Sequence, residues 1–137
     1  MSAPPETCEQ RVDQNLAARL ADIRKMWARR MKGLDPDEDL GDVFDYGLSF
    51  DYVTAGTFKD VREGFFRWQI STGGPGDEFR FFADPGRKVH RIEYRFLDWY
   101  DGAGRDLSGK DYDLLMEFFE ELRELAAVEK ALSDAEA

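Results

Sequence analysis

The chain has 137 residues, of which 42% are hydrophobic and 35% charged, and its formal net charge is −10. This length and apolar content predict one folded domain with one core, and they exclude an intrinsically disordered chain. The acidic balance argues against general binding to nucleic acids or anionic membranes, because that binding needs clustered Lys and Arg facing the phosphates. No apolar run reaches the roughly 18–20 residues that a membrane helix needs.

The charge is sorted into blocks along the sequence. Residues 1–34 carry a net charge of +3, and residues 35–51 carry −7 with no basic residue. Residues 52–97 carry +2, and residues 98–137 carry −8. Charge sorted in this way produces local fields of opposite sign on one small protein, which is how a protein steers or mimics a charged partner.

The N-terminal part predicts a flexible tail, residues 1–8, followed by one α+β domain, residues 9–137. From about Glu9 to Lys32, apolar residues recur at intervals of three and four, which indicates an amphipathic helix. Arginine and lysine fill much of its other face, and Gly33 is a suitable residue to end it. The apolar positions are Val12, Leu16, Leu20, Ile23, Trp27 and Met31.

The central part predicts a sheet, because the apolar period changes to two after a turn-rich connector that ends near residue 42. Residues 44–100 hold 15 of the 19 aromatic residues, and these fit a pleated, half-buried surface. The predicted strands are joined by short loops, which favours an antiparallel four-stranded meander. Asp101-Gly102-Ala103-Gly104 is expected to end the sheet. The four strands are residues 44–52, 65–70, 78–83 and 89–99.

The C-terminal part predicts a second amphipathic helix, from about Gly109 to Leu125 or beyond, with Ser108 and Asp111 resembling a capping box. The fold class is therefore α+β in the order α-β-β-β-β-α, with the sheet flanked by an N-terminal and a C-terminal helix. At least one helix must cover the apolar face of the sheet.

No catalytic or metal-binding signature is present. The chain has one histidine, His90, and one cysteine, Cys8, which is too few for an ordinary Cys–His dyad or a zinc site. The Asp35, Asp37 and Asp39 spacing resembles the start of a calcium loop, but the required Gly and Glu positions are absent. We therefore expect a non-enzymatic protein without cofactor or metal, while an enzyme that acts through carboxylates alone remains an alternative.

Two acidic segments are the candidate partner-binding surface. Their carboxylates could be spaced like the phosphates of DNA and occupy the basic groove of a nucleic-acid-binding protein. The alternative is an acidic surface that serves solubility only. The residues are Asp35, Asp37, Glu38, Asp39 and Asp42, together with Glu117, Glu120, Glu121 and Glu124.

The second face of the predicted sheet offers a different site. Arginines interleaved with aromatic residues are typical of platforms for single-stranded nucleic acids. The competing interpretation is that these arginines pair with Glu93 or Asp51 across the strands, or that a helix covers them. The residues are Arg67, Arg80, Arg91 and Arg95.

Three stretches carry a resemblance to known proteins: YGLSFDYV at 46–53, RWQISTGGPGDEFRF at 67–81 and EYRFLDWYDGA at 93–103. They are similar to small acidic proteins carried on bacterial plasmids, prophages and conjugative elements, a group that includes antirestriction and anti-CRISPR proteins. The likeness covers about residues 44–120 and carries over no functional residue. It implies a mobile-element setting, in which an acidic, non-enzymatic inhibitor of a host defence nuclease would be at home.

The expectation from the sequence is thus a cytoplasmic, non-catalytic acidic module that binds a basic protein and mimics nucleic acid. The alternative is a nucleic-acid-binding or regulatory protein that uses the arginine-rich sheet face or the basic first helix. The broad apolar faces of the two helices also leave room for a homodimer.

Overall fold

The computed structural model of the chain describes residues 6–58 and 61–136. Five strands and three α-helices follow one another, with one turn of 3₁₀ helix at Val43–Asp45. The strands are β1 Ser49–Val53, β2 Phe65–Ser71, β3 Gly76–Ala83, β4 Val89–Asp98 and β5 Asp101–Asp106. The helices are α1 Cys8–Met31, α2 Gly109–Glu124 and α3 Ala127–Glu136.

The sheet is antiparallel with the strand order β1-β2-β3-β4-β5, so the α+β class and the meander are confirmed. The predicted number of four strands is wrong, because residues 101–106 form a fifth strand beside β4. Its glycines suggested a break, but they are needed for close approach to β4. A Cβ on Gly102 would lie 2.9 Å from Leu97 Cδ2, and one on Gly104 would lie 2.9 Å from Glu93 Oε2.

The first predicted strand, residues 44–52, is only half correct. Residues 43–45 form the 3₁₀ turn, and β1 begins at Ser49. The aromatic residues before β1 pack in the core without being in the sheet: Phe44 stacks on Phe118 with ring centroids 5.4 Å apart. Gly47 lies so close to Trp68 that a Cβ would be 2.3 Å from the indole Nε1. The apolar period of two between residues 44 and 52 therefore arises partly from residues that lie outside any strand.

The C-terminal region contains two helices where one was predicted. Ala126, at φ 64°, lies between α2 and α3. The predicted capping box at Ser108 is wrong, because the Ser108 side chain makes no capping hydrogen bond. Asp111 instead pairs with Arg24 of α1 at 2.9 Å. Gly33 has φ 68° just after α1, as its predicted role requires.

Helix α1 begins one residue before the predicted start and takes in the end of the predicted tail. Thr7 is its N-cap, and Gln10 completes a capping box with it. Cys8 is buried and donates its backbone N–H to Asp101 Oδ2 at 2.8 Å. Residues 1–5 of that predicted tail lie outside the described residues.

All three helices contribute to one core with the same side of the sheet, which we call the covered face. The opposite side, the open face, carries a small apolar cluster of Val53, Phe65 and Phe82 beneath Phe58 and Val61. The strand register sorts the other side chains between the two faces. No helix among the described residues is long and apolar enough to cross a membrane.

Candidate protein-binding surface

The connector between α1 and β1 is an ordered acidic loop built around Asp37. Asp37 Oδ1 accepts hydrogen bonds from the backbone N–H groups of Asp39 and Leu40, both at 3.0 Å. Lys25 of α1 approaches its Oδ2 to 3.1 Å. The Leu40 N–H, then Lys25 and the Asp39 N–H, lower the pKa of Asp37 to about 2. Asp37 therefore holds the loop in shape and against α1 as a carboxylate that is ionised at neutral pH.

Arg30 of α1 brings the two predicted acidic segments together. Its Nη1 lies 3.4 Å from Asp42 Oδ2 in the connector, and its Nη2 lies 3.7 Å from Glu121 Oε1 in α2. The same guanidinium lies over the ring of Phe44, 4.3 Å from its centroid. One arginine thus joins the connector, α2 and the core, so the two segments form parts of one continuous region.

Four of the nine predicted surface acids contact side chains of α1. Besides Asp37, Asp42 and Glu121, this set includes Glu117, whose Oε2 accepts a hydrogen bond from Trp27 Nε1 at 2.9 Å. Their first task is structural, because each fixes α1 to the connector or to α2. Asp37, Asp42 and Glu121 are paired with cations and are partly neutralised, whereas Glu117 keeps its charge because the indole is neutral.

The remaining five predicted acids face solvent, and we call them the outer acids: Asp35, Glu38, Asp39, Glu120 and Glu124. Glu120 pairs only with Arg123, one turn away at 3.4 Å. For the carboxylates of the other four, no ion pair or hydrogen bond is found within the described parts of the chain.

Helix α2 adds an acid that the sequence analysis did not select. Asp113 is exposed and precedes Glu117, Glu120 and Glu124 by four, seven and eleven residues. These intervals place all four on one side of a helix, and we call them the acidic stripe. The stripe could have been found from the sequence, because Asp113 fits the same helical period as the glutamates.

A groove of about 520 Å³ lies between the connector, the end of α1 and α2. Met31 and Leu34 line it and are exposed large apolar side chains. Arg29, Asp42 and Glu121 also line it. A groove with both apolar and charged lining lies next to the outer acids, which gives this region the mixed character of protein interfaces.

The arginines of the open face lie beside carboxylates, and the pair Arg67–Asp51 joins two strands in the way that the competing interpretation described. Arg67 donates two hydrogen bonds to Asp51, at 3.0 and 2.7 Å. Arg80 is buried, donates to Glu78 at 2.7 Å and stacks over Phe65 at 4.6 Å. These two arginines are structural parts of the sheet.

The other two arginines are held less tightly. Arg91 lies 3.5 Å from Asp106 and stacks on Phe82 at 4.0 Å. Arg95 approaches Glu93 only to 4.0 Å, and its buried Nε has no hydrogen-bond partner. Both line a cavity of about 360 Å³ beneath residues 61–63.

Within residues 6–58 and 61–136, no group of three or more His, Cys, Asp or Glu side chains could hold a metal ion. Comparison with protein-family models, curated proteins and solved structures found no match for this chain. The arguments about function therefore depend on the geometry of the surfaces just described.

Proposed function

We propose that this protein is a non-catalytic acidic module that binds a basic partner protein through the outer acids and the acidic stripe of α2. One observation carries the proposal: within the described residues Glu120 is the only one of these carboxylates with an ion-pair partner, whereas three cations of α1 pair with other carboxylates. Lys25, Arg30 and Arg24 of α1 are used on Asp37, on Asp42 with Glu121, and on Asp111. The acidic field is therefore directed outward, where it can attract a basic surface.

The spacing of the stripe supports mimicry of nucleic acid. Asp113 and Glu124 are eleven residues apart in α2, which corresponds to about 16 Å along a helix at 1.5 Å per residue. Over the same length, one strand of DNA presents about five phosphates. Four carboxylates at this density resemble one strand, and the connector acids extend the charge beyond the helix.

The finer form of the proposal is an inhibitor of a host defence nuclease complex. The resemblance of residues 44–120 to acidic proteins of mobile genetic elements supports this setting, and a nucleic-acid mimic would compete there for the groove that holds the nuclease's own substrate. The partner would then have a positively charged groove, and DNA or RNA would displace this protein from that groove.

A charge-reversal experiment tests the proposal. The immobilised protein is incubated with bacterial lysate, and proteins released between low and high salt are identified by mass spectrometry. The variant Glu120→Lys/Glu124→Lys is compared with the wild type and with Glu63→Lys/Asp106→Lys, which makes the same charge change around the open face.

The proposal is supported if a basic nucleic-acid-binding protein is retained by the wild type and the control, lost by the stripe variant, and displaced by duplex DNA. It is rejected if all three proteins retain the same partners, or if duplex DNA leaves the complex unchanged.

A second candidate is nucleic-acid binding at the open face, and the unpartnered Nε of Arg95 favours it. A gel shift with single-stranded DNA at low salt tests this function, with Arg91→Ala/Arg95→Ala as the matched variant. No shift at tens of micromolar protein, or a shift that the variant retains, would eliminate this face.

A further inference from the structure

The β4–β5 hairpin presents two aromatic side chains to solvent. Trp99 is 84% exposed and Tyr100 is 105% exposed, whereas the other two tryptophans, Trp27 and Trp68, are 6% and 3% exposed. Exposed tryptophan and tyrosine at one tip are costly in water and are enriched where proteins bind one another. The tip is separate from the outer acids described above.

The backbone of this tip is unfavourable for the residue that occupies it. Asp98 pairs with Asp101, so Trp99 and Tyr100 form a two-residue hairpin loop. Trp99 has φ 57°, in the left-handed region that such loops normally give to glycine or asparagine. Stability of the fold alone would favour a small residue at position 99. Burial of the indole does not offset the backbone strain, because the ring is exposed.

The tip is also held in place from both sides. Arg11 Nη1 lies 2.5 Å from Asp98 Oδ2, and the Cys8 N–H donates to Asp101 Oδ2 at 2.8 Å. The indole lies against the β2–β3 turn at Gly74, which has no Cβ to exclude it. The ring is therefore presented in a fixed position, which lowers the entropy lost on binding.

The surroundings of the indole indicate which ligand it would bind. A Cβ on Gly74 would lie 2.9 Å from Trp99 Nε1 and 3.2 Å from Asp98 Oδ1, so the ring edge and a carboxylate oxygen border the same space. A cavity of about 480 Å³ opens there, lined by Trp99 and by three carboxylates, Glu6, Asp98 and Asp101, against one cation, Arg11. An aromatic ring beside carboxylates attracts a cation, and a planar guanidinium most of all.

The protein already shows this chemistry at the other oxygen of the same carboxylate. The guanidinium of Arg11 is paired with Asp98 and lies over Phe96, 4.7 Å from the ring centroid. Asp98 Oδ1 and the indole border the same cavity, and no side chain of the described chain donates a hydrogen bond to that oxygen.

We propose that the Trp99–Tyr100 tip binds an arginine side chain of the basic partner, with Trp99 stacking on the guanidinium and Asp98 and Asp101 supplying the charge. This inference rests on the proposed function, because it assumes a basic partner. It adds a second anchor that depends on aromatic stacking and is independent of the acidic stripe.

Because Trp99 is the only exposed tryptophan, its fluorescence reports directly on the tip. The probe is an oligoarginine peptide, compared with oligolysine of equal length, and acrylamide quenching measures the exposure of Trp99. Calorimetry gives the Kd for the wild type, Trp99→Ala, Glu120→Lys/Glu124→Lys, and Leu125→Ala as an exposed apolar control.

Oligoarginine should protect Trp99 from acrylamide and bind more tightly than oligolysine. Trp99→Ala should weaken its binding about tenfold, and Leu125→Ala should leave it unchanged. An unchanged Kd for Trp99→Ala, or full quenching of Trp99 in the complex, would overturn the inference even if the stripe variant loses binding. If Trp99→Ala weakens binding but Glu120→Lys/Glu124→Lys does not, the proposed acidic surface fails while the tip stands.

Two other occupants give distinct results. Protection of Trp99 that increases with protein concentration alone, together with a dimer in sedimentation, would assign the tip to a second copy of the chain. Protection by oligothymidine but not by oligoarginine would assign it to base stacking. Either result would overturn the proposal.

Discussion

Arg19 of α1 and Asp77 of β3 form a two-point ion pair between the first helix and the covered face of the sheet. The Nε–Oδ2 distance is 2.7 Å and the Nη2–Oδ1 distance is 3.1 Å. Asp77 is buried and also accepts hydrogen bonds from Ser71 Oγ and Tyr94 Oη. All of these contacts satisfy one carboxylate inside the core, so this charge is a main link between α1 and the sheet.

Removal of the charge at position 77 should strongly destabilise the protein. Asp77→Asn leaves the partly buried Arg19 without its counterion, and we expect a loss of about 3 kcal/mol in the free energy of unfolding. Tyr94→Phe removes one hydrogen bond and should cost about 1–2 kcal/mol. Urea unfolding measures both variants.

The control for this prediction is the exposed pair Arg24–Asp111 at 2.9 Å. Asp111→Asn should change the free energy of unfolding by less than about 1 kcal/mol, because water screens that pair. A similar loss at positions 77 and 111 would show that the Asp77 network contributes no more than a surface ion pair.

The stability that Asp37 contributes should depend on pH in the acid range. Its pKa of about 2 in the folded protein lies below the ordinary value of 3.8, so folding favours the ionised carboxylate. This contribution is fully present above about pH 4 and is lost as the pH falls toward 2. The melting temperature of Asp37→Asn should therefore lie below that of the wild type at pH 6, and the difference should shrink toward pH 2.

A constant difference in melting temperature between pH 6 and pH 2 would contradict this role of Asp37. Asp39→Asn is the matched control in the same loop.

Trp99→Gly should make the protein more stable. At φ 57° a glycine avoids the steric cost that a side chain pays, and the expected gain is up to about 1 kcal/mol. Tyr100→Gly, at the neighbouring position without a positive φ, should give no gain. Thermal unfolding measures both. If the variant at position 99 also binds oligoarginine less well, the exposed indole is retained for binding at a cost in stability; a fall in stability would refute the strain argument.

Arg30 should couple the connector to α2. Arg30→Met keeps an apolar stem over Phe44 but removes both long ion pairs, so the expected loss of stability is about 1 kcal/mol or less. The larger effect should be on hydrogen exchange in residues 35–42, which should become faster. Arg29, whose Nε donates to the Asp35 carbonyl, provides the comparison as Arg29→Met. Unchanged exchange in Arg30→Met would show that the two acidic segments are not coupled by this side chain.

The long, regular elements were predictable from the sequence. The apolar spacing from Val12 to Met31 gave α1, and strict alternation gave β2, β3 and β4 close to their observed bounds, because these periods follow directly from helix and strand geometry. The alternation also placed Arg67, Arg80, Arg91 and Arg95 on one face. The irregular parts were not predictable in the same way: Gly102 and Gly104 resemble a turn in sequence, and only the approach of Leu97 and Arg95 explains why strand β5 needs them.

The candidate surface shows the same division. The sequence by itself determined how charge is sorted, with a basic first helix and acidic connector and C-terminal segments. The order of charged residues along the chain is the same whatever the fold. Only the tertiary structure decided which charges neutralise one another. Because α1 packs beside the connector and α2, Lys25 and Arg30 pair with carboxylates between these elements. Glu38, Asp39 and Glu124 are left to solvent, since a side chain can pair only with groups that the fold brings within a few ångströms.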